Sequence, residues 1–120
     1  MHIVSLEECE EFISGDNARL RELLHPDKAS LEIRYSLAHA IIEPGGGTTP
    51  HILATSEVYY IIAGEGLMHI DDKASPAREG HAVYIPPNAT QWITNTGREN
   101  LEFICIVDPA WRVEDEKILE

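Results

Sequence analysis

The sequence predicts an all-β protein, an antiparallel double-sheet jelly roll, on three observations. From residue 31 onward apolar and polar residues alternate with a period close to two, as in half-buried strands. The alternating segments recur at intervals of about ten residues and are separated by Gly, Pro and Asn clusters, giving about seven or eight short strands. After residue 30 almost no helical periodicity is present. The chain is 120 residues long, one domain by length, which we divide into an arm over residues 1–30, a barrel over 31–110 and an acidic tail over 111–120.

In the arm, Ser5 followed by Glu8 resembles a capping box and predicts a short helix running to about Phe12. Gly15-Asp16-Asn17 is a turn. Arg19–Leu24 reads equally as strand or helix and is ended by His25-Pro26. "LEIRYSLAHAII" then sets Leu31, Ile33, Tyr35 and Leu37 against Glu32, Arg34, Ser36 and Ala38 as a first barrel strand. "EPGGGTTP" breaks it. "SEVYYIIAG" is a β-branched and aromatic strand that turns at Gly64-Glu65-Gly66 into "LMHID". The polar "DDKASPAREG" is a loop, and "HAVYIPP", "TQWITN" and "LEFICIV" are three more strands.

The bulk numbers exclude several function classes. Nine Lys and Arg residues against 21 Asp and Glu give a net charge of -12 and a pI near 4.8. Phosphate backbones and anionic membranes need clustered basic residues, so neither nucleic acid nor membrane is an expected partner. No apolar run approaches the ~20 residues of a bilayer span and no signal peptide opens the chain, so a cytoplasmic location is expected. Cys9 and Cys105 are too few and too far apart for a disulfide framework or a metal knuckle, and are read as free thiols. Gly45-Gly46-Gly47 is read as a tight loop, because no helix N-terminus follows to complete a phosphate cradle.

Two stretches carry the candidate chemistry. In the first, Gly45, His51, Glu57 and Gly64 are separated by five, five and six residues, with Leu53 two places after the histidine. In the second, Gly80, Pro86, Asn88, Gln91 and Asn95 follow one another at fixed short spacings. With those spacings the chain resembles the cupin family, and the resemblance covers residues 30–110. Family members carry a second histidine where this chain has Leu53, a glycine where it has Asn88, and a histidine where it has Gln91. The resemblance implies a small double-stranded antiparallel β-helix, or jelly-roll barrel, with a short N-terminal arm. Its usual site holds a first-row divalent metal on three histidines and one carboxylate.

By position the resemblance offers His51, Glu57 and Gln91 as metal ligands here, with Leu53 unable to donate. An amide oxygen is a weaker donor than imidazole, so a divalent ion (Zn, Fe, Mn or Ni) is expected at less than full occupancy, or no cofactor at all. Without metal, His51 and Glu57 form an acid–base pair that binds a small molecule or catalyses. Strand alternation puts Tyr59 on the face of Glu57, Ile93 on the face of Gln91, and Phe103 with Cys105; the resemblance implies that these faces, with Leu53, look into the pocket and that Cys105 is an apolar wall residue. His69 and His81 read as surface or satisfied residues, and His39 as a spare ligand. The reading is a barrel that binds a small molecule, with sugar derivatives among the candidates. The alternative is a cupin enzyme of dioxygenase or of sugar isomerase or epimerase type, with His51 and Glu57 as its catalytic residues. A homodimer is expected from Val58, Tyr60, Ile62 and Trp92, which fall on the strand faces opposite the ligands.

Overall fold

A computed structural model describes residues 1–119. Eleven strands follow one another along the chain: β1 (Phe12–Ile13), β2 (Arg19–Leu24), β3 (Ser36–Ile42), β4 (His51–Leu53), β5 (Ser56–Ala63), β6 (Glu65–Ile70), β7 (Lys73–Arg78), β8 (Ala82–Ile85), β9 (Thr90–Asn95), β10 (Leu101–Asp108) and β11 (Glu116–Ile118). They form a six-stranded sheet in the order β1-β2-β3-β10-β5-β8 and a five-stranded sheet in the order β11-β4-β9-β6-β7. Every strand pairing is antiparallel. The only helices among the described residues are two single 3-10 turns, Leu6–Glu8 and Val113–Asp115. The jelly-roll architecture follows from β5 leading into β6 and so from one sheet into the other.

That crossing depends on Gly64. Its φ is +83° and a β-carbon there would lie 2.5 Å from the Asn100 carbonyl oxygen, so only glycine fits without displacing backbone. Asn88, where the related pattern has glycine, has a φ of +67°. Asparagine is among the few residues that tolerate this region, so the departure keeps the turn.

Alternation divides each central strand cleanly. Leu101, Phe103, Cys105 and Val107 of β10 are buried, as are Glu57, Tyr59 and Ile61 of β5 and Gln91, Ile93 and Asn95 of β9. One end of the barrel is solid, filled by Ile42, Ile61, Met68, Ile85, Ile93 and Leu101. At the other end the inward residues of β3 are Ser36, Ala38 and Ala40. Their small side chains leave space that the aromatic rings of Tyr59 and Phe103, 4.3 Å apart, only partly fill.

The sheets reach further along the chain than 31–110. Arg19–Leu24 is a strand paired over its length with β3, and Glu116–Ile118 pairs with β4. The arm therefore adds two strands, β1 and β2, and the tail adds one. The expected helix at Ser5 is a single 3-10 turn, because the Ser5 hydroxyl bonds the Glu7 carboxylate instead of capping a backbone N–H. The first barrel strand starts at Ser36, so Leu31, Ile33 and Tyr35 lie outside it. His39 falls on the outer face of β3, buried against Glu102, whose carboxylate lies 3.1 Å from Nε2. It takes no part in the interior. Trp92 lies on the five-stranded sheet, its ring stacked on His69 at 4.3 Å, and so does not share a surface with Val58, Tyr60 and Ile62 of β5. No helix is long and apolar enough to cross a membrane among the described residues.

Candidate functional site

The space at the small-residue end is a cavity of about 410 Å³, within the range that takes a small organic ligand. Leu53, Phe103, Cys105 and Val107 supply apolar wall, and His51, Glu57 and Tyr59 supply polar groups. Gln91 and Ile93 are equally buried but do not line it. The Gln91 oxygen accepts a hydrogen bond from the Tyr59 hydroxyl at 3.2 Å, so the atom that the motif spacing offers to a metal is already engaged.

His51 opens β4 and is 1% exposed. Its Nδ1 lies 2.7 Å from the Thr49 carbonyl oxygen. A carbonyl can only accept, so Nδ1 carries a proton, and in the neutral ring Nε2 presents its lone pair. Nε2 faces Asp16, with the nearer carboxylate oxygen at 3.4 Å. Asp16 belongs to the turn after β1. The Ser14 hydroxyl bonds its Oδ1, and its backbone carbonyl accepts from Thr49 N at 2.8 Å. Glu116 arrives from the other terminus: β11 pairs with β4, placing Ile118 opposite His51 and Glu116 opposite Leu53. Asp16, His51 and Glu116 each offer a ligand atom within 4.8 Å of the others, a group able to hold a metal ion.

Glu57 stands apart from that group. It is 8% exposed, and burial pushes its carboxyl up to about 8, helped by Asp16 and Glu116 and opposed by a hydrogen bond from Gln91. Near neutral pH it therefore holds its proton and donates. Burial also pushes the Tyr59 hydroxyl and the Cys105 thiol up, with Glu57 adding to both. Cys105 thus remains a thiol, with no base to ionise it. Burial and then Asp16 raise the Glu116 carboxyl, and His51 lowers it.

The residues at the motif positions do not fit a three-histidine, one-carboxylate metal site. Leu53 has no donor atom, the Gln91 oxygen is bonded to Tyr59, and Glu57 is outside the His51 cluster. The cluster that does form includes two carboxylates from outside both motifs. Asp16 is legible in sequence only as a turn residue, and Glu116 only as part of a charged tail. Pairing between residues far apart in the chain brings them to His51, and local pattern carries no trace of it. His25 also lines the cavity, but both its nitrogens are used: Nδ1 accepts from Asp27 N at 3.0 Å, and Nε2 donates to the Trp111 carbonyl at 2.8 Å.

The sequence matches the Cupin domain family over residues 38–107, more than half its length. This chain belongs to the cupin family. An uncharacterized protein of Methanocaldococcus jannaschii is 39% identical over 110 residues, covering 91% of this chain and 87% of that protein. An oxalate-binding protein of Thermotoga maritima is 35% identical over 51 residues, 42% of each chain. Among solved structures, a predicted oxalate decarboxylase of Thermotoga maritima superposes with a TM-score of 0.79, at 22% identity, covering 90% of this chain and 99% of the other. That likeness is one of fold.

Proposed function

We propose that this cupin is a small-molecule-binding barrel whose ligand is a neutral, hydroxylated compound such as a sugar derivative. The observation that carries this reading is the pairing of opposite hydrogen-bonding roles in one cavity. Glu57, its carboxyl near 8, is a donor at neutral pH. His51, its Nδ1 held by Thr49, is in its neutral form an acceptor through Nε2. A hydroxyl group both donates and accepts, so it satisfies the two together. Phe103, Leu53 and Val107 cover the carbon face of such a ligand. A bare dianion of the kind the oxalate-binding relative is named for meets the Asp16 and Glu116 carboxylates instead, which oppose it.

The same pair supports a second reading, acid–base catalysis of isomerase or epimerase type. His51 Nε2 would take a proton from carbon beside a carbonyl while Glu57 gives its proton to the carbonyl oxygen. The barrel would then move protons with its own side chains, and no step is assigned to a metal at the motif positions. A thermal-shift panel on chelator-treated protein at pH 7 tests the binding reading. Neutral sugars and polyols stabilising the protein while dicarboxylates do not is the result it requires, and the reverse order rejects it.

The protein also pairs with itself in this reading. Tyr60, Ile62, Tyr84 and Ile106 are 47%, 36%, 62% and 37% exposed. Strand register makes them neighbours, with Val58 set between Tyr84 and Ile106. A continuous apolar face of this kind on a sheet is suited to burial against a second copy.

A further inference from the structure

We infer that Asp16, His51 and Glu116 form a divalent-cation site that takes the place of the family's motif site and ties both ends of the chain to the barrel. Three features make this a built site. His51 is 1% exposed, its Nε2 makes no hydrogen bond among the described residues, and it points at the two carboxylates. The Thr49 carbonyl fixes the ring through Nδ1, the arrangement that orients a ligating histidine and strengthens its free nitrogen as a donor. The carboxylates are positioned as well. Ser14 occupies Asp16 Oδ1 and leaves Oδ2 facing the imidazole. Glu116 is held on β11, which is locked beside β4 by Ala54 N to the Asp115 carbonyl at 2.9 Å and Leu119 N to the Pro50 carbonyl at 2.8 Å. Gly15 leaves the room Glu116 needs, since a β-carbon there would be 3.3 Å from its Oε1.

The spacing and donor chemistry fit a metal. Bonds of about 2.1 Å at tetrahedral angles separate neighbouring donors by roughly 3.4 Å, and Asp16 Oδ2 lies 3.4 Å from His51 Nε2. One imidazole and two carboxylates give a mixed nitrogen and oxygen set without sulfur, which suits a first-row divalent ion such as Zn²⁺ or Mn²⁺ and leaves coordination positions facing the cavity. Asp16 and Glu116 lie outside both motifs, so the ion sits on residues that the motif pattern does not specify. Because one donor comes from the arm, one from β4 and one from the tail, binding fastens the two terminal segments across one end of the cavity.

The inference goes beyond the small-molecule reading, which concerns the metal-free protein: Nε2 has one lone pair, so a bound cation and a ligand hydroxyl compete for it, and the test uses metal alone. Chelator-treated full-length protein is titrated with ZnCl₂, and separately with MnCl₂, by calorimetry at pH 7. The expected result is one equivalent bound, with Asp16→Asn and Glu116→Gln each weakening zinc by at least about tenfold, while Glu57→Gln binds within about threefold of wild type. Nitrogen-15 spectra of the wild-type histidine rings give a second readout that needs no variant: zinc should displace the His51 Nε2 resonance and leave Nδ1 protonated. Zinc binding unaffected by both Asp16→Asn and Glu116→Gln, or lost in Glu57→Gln while they retain it, overturns the inference. So does a His51 Nε2 resonance that zinc leaves in place.

Discussion

Replacing Glu57 by glutamine should flatten the pH dependence of stability in the metal-free protein. Glu57 is buried, and neither Lys nor Arg is among the groups that act on it; burial, Asp16 and Glu116 together lift its carboxyl from 4.5 to about 8. The sign follows from proton counting. Between those two values the folded chain keeps a proton that the unfolded chain has released, so stability falls as pH rises, and the loss is complete above the folded value. A shift of this size corresponds to a ceiling of about 5 kcal/mol at 1.36 kcal/mol per pH unit. Water admitted by the open cavity brings the expected loss down to about 2–4 kcal/mol. Urea unfolding of wild type and Glu57→Gln from pH 5 to pH 9.5, in chelator, measures it. The two proteins should be nearly equal at pH 5, with the variant ahead by about 2–4 kcal/mol at pH 9.5. Curves that run parallel over the whole range would show that Glu57 is already ionised in the fold, and would remove the donor role assigned to it.

Three further outcomes follow from particular contacts. Tyr84→Asp places a charge on the apolar face of the six-stranded sheet, where Tyr84 is 62% exposed, and should convert a dimer to a folded monomer in light scattering, while a wild type that is itself monomeric at micromolar concentration would end the pairing proposal. Gly64→Ala should cost more than about 2 kcal/mol in urea unfolding, since it combines a φ of +83° with a 2.5 Å approach to the Asn100 oxygen; a loss under about 0.5 kcal/mol would contradict the close approach. Leu53→His sets an imidazole directly opposite Glu116 in the strand register and should raise zinc affinity at least about tenfold, with an unchanged calorimetric titration in a folded variant showing that position 53 does not converge on the cluster.

β5 and β10 are legible as strands, but both of their faces carry apolar residues: Tyr59 and Ile61 face in while Tyr60 and Ile62 face out, and Phe103 and Val107 face in while Ile104 and Ile106 face out. Period two separates the faces, and only the count from Glu57 and the family resemblance say which one looks inward. β3 misleads because its inward residues, Ser36, Ala38 and Ala40, are small, whereas Leu37 and Ile41 on its outer face are large. An alternation of large and small apolar residues points the wrong way when the interior is a cavity instead of packed core. His39 shares the Leu37 and Ile41 face, which is the alternation that makes it a spare ligand in sequence. The site was legible only in its motif half. His51, Glu57 and Tyr59 announce themselves by spacing and alternation, but Asp16 and Glu116 reach the same place through β1–β2 turn geometry and a terminal strand pairing. A short charged segment such as "VEDEKILE" looks like a solvated tail until its partner strand is known.

In the metal-free protein Glu57 is proposed to donate to, and neutral His51 to accept from, one neutral ligand. Calorimetry of the strongest-binding sugar or polyol against wild type, Glu57→Gln and His51→Ala, at pH 6.5 and pH 9.5, tests it most directly. Wild-type affinity should fall at least about tenfold at the higher pH as Glu57 ionises, Glu57→Gln, whose amide still donates, should lose this dependence, and His51→Ala should bind weakly at both values. Affinity that is independent of pH in wild type and insensitive to His51→Ala would contradict it.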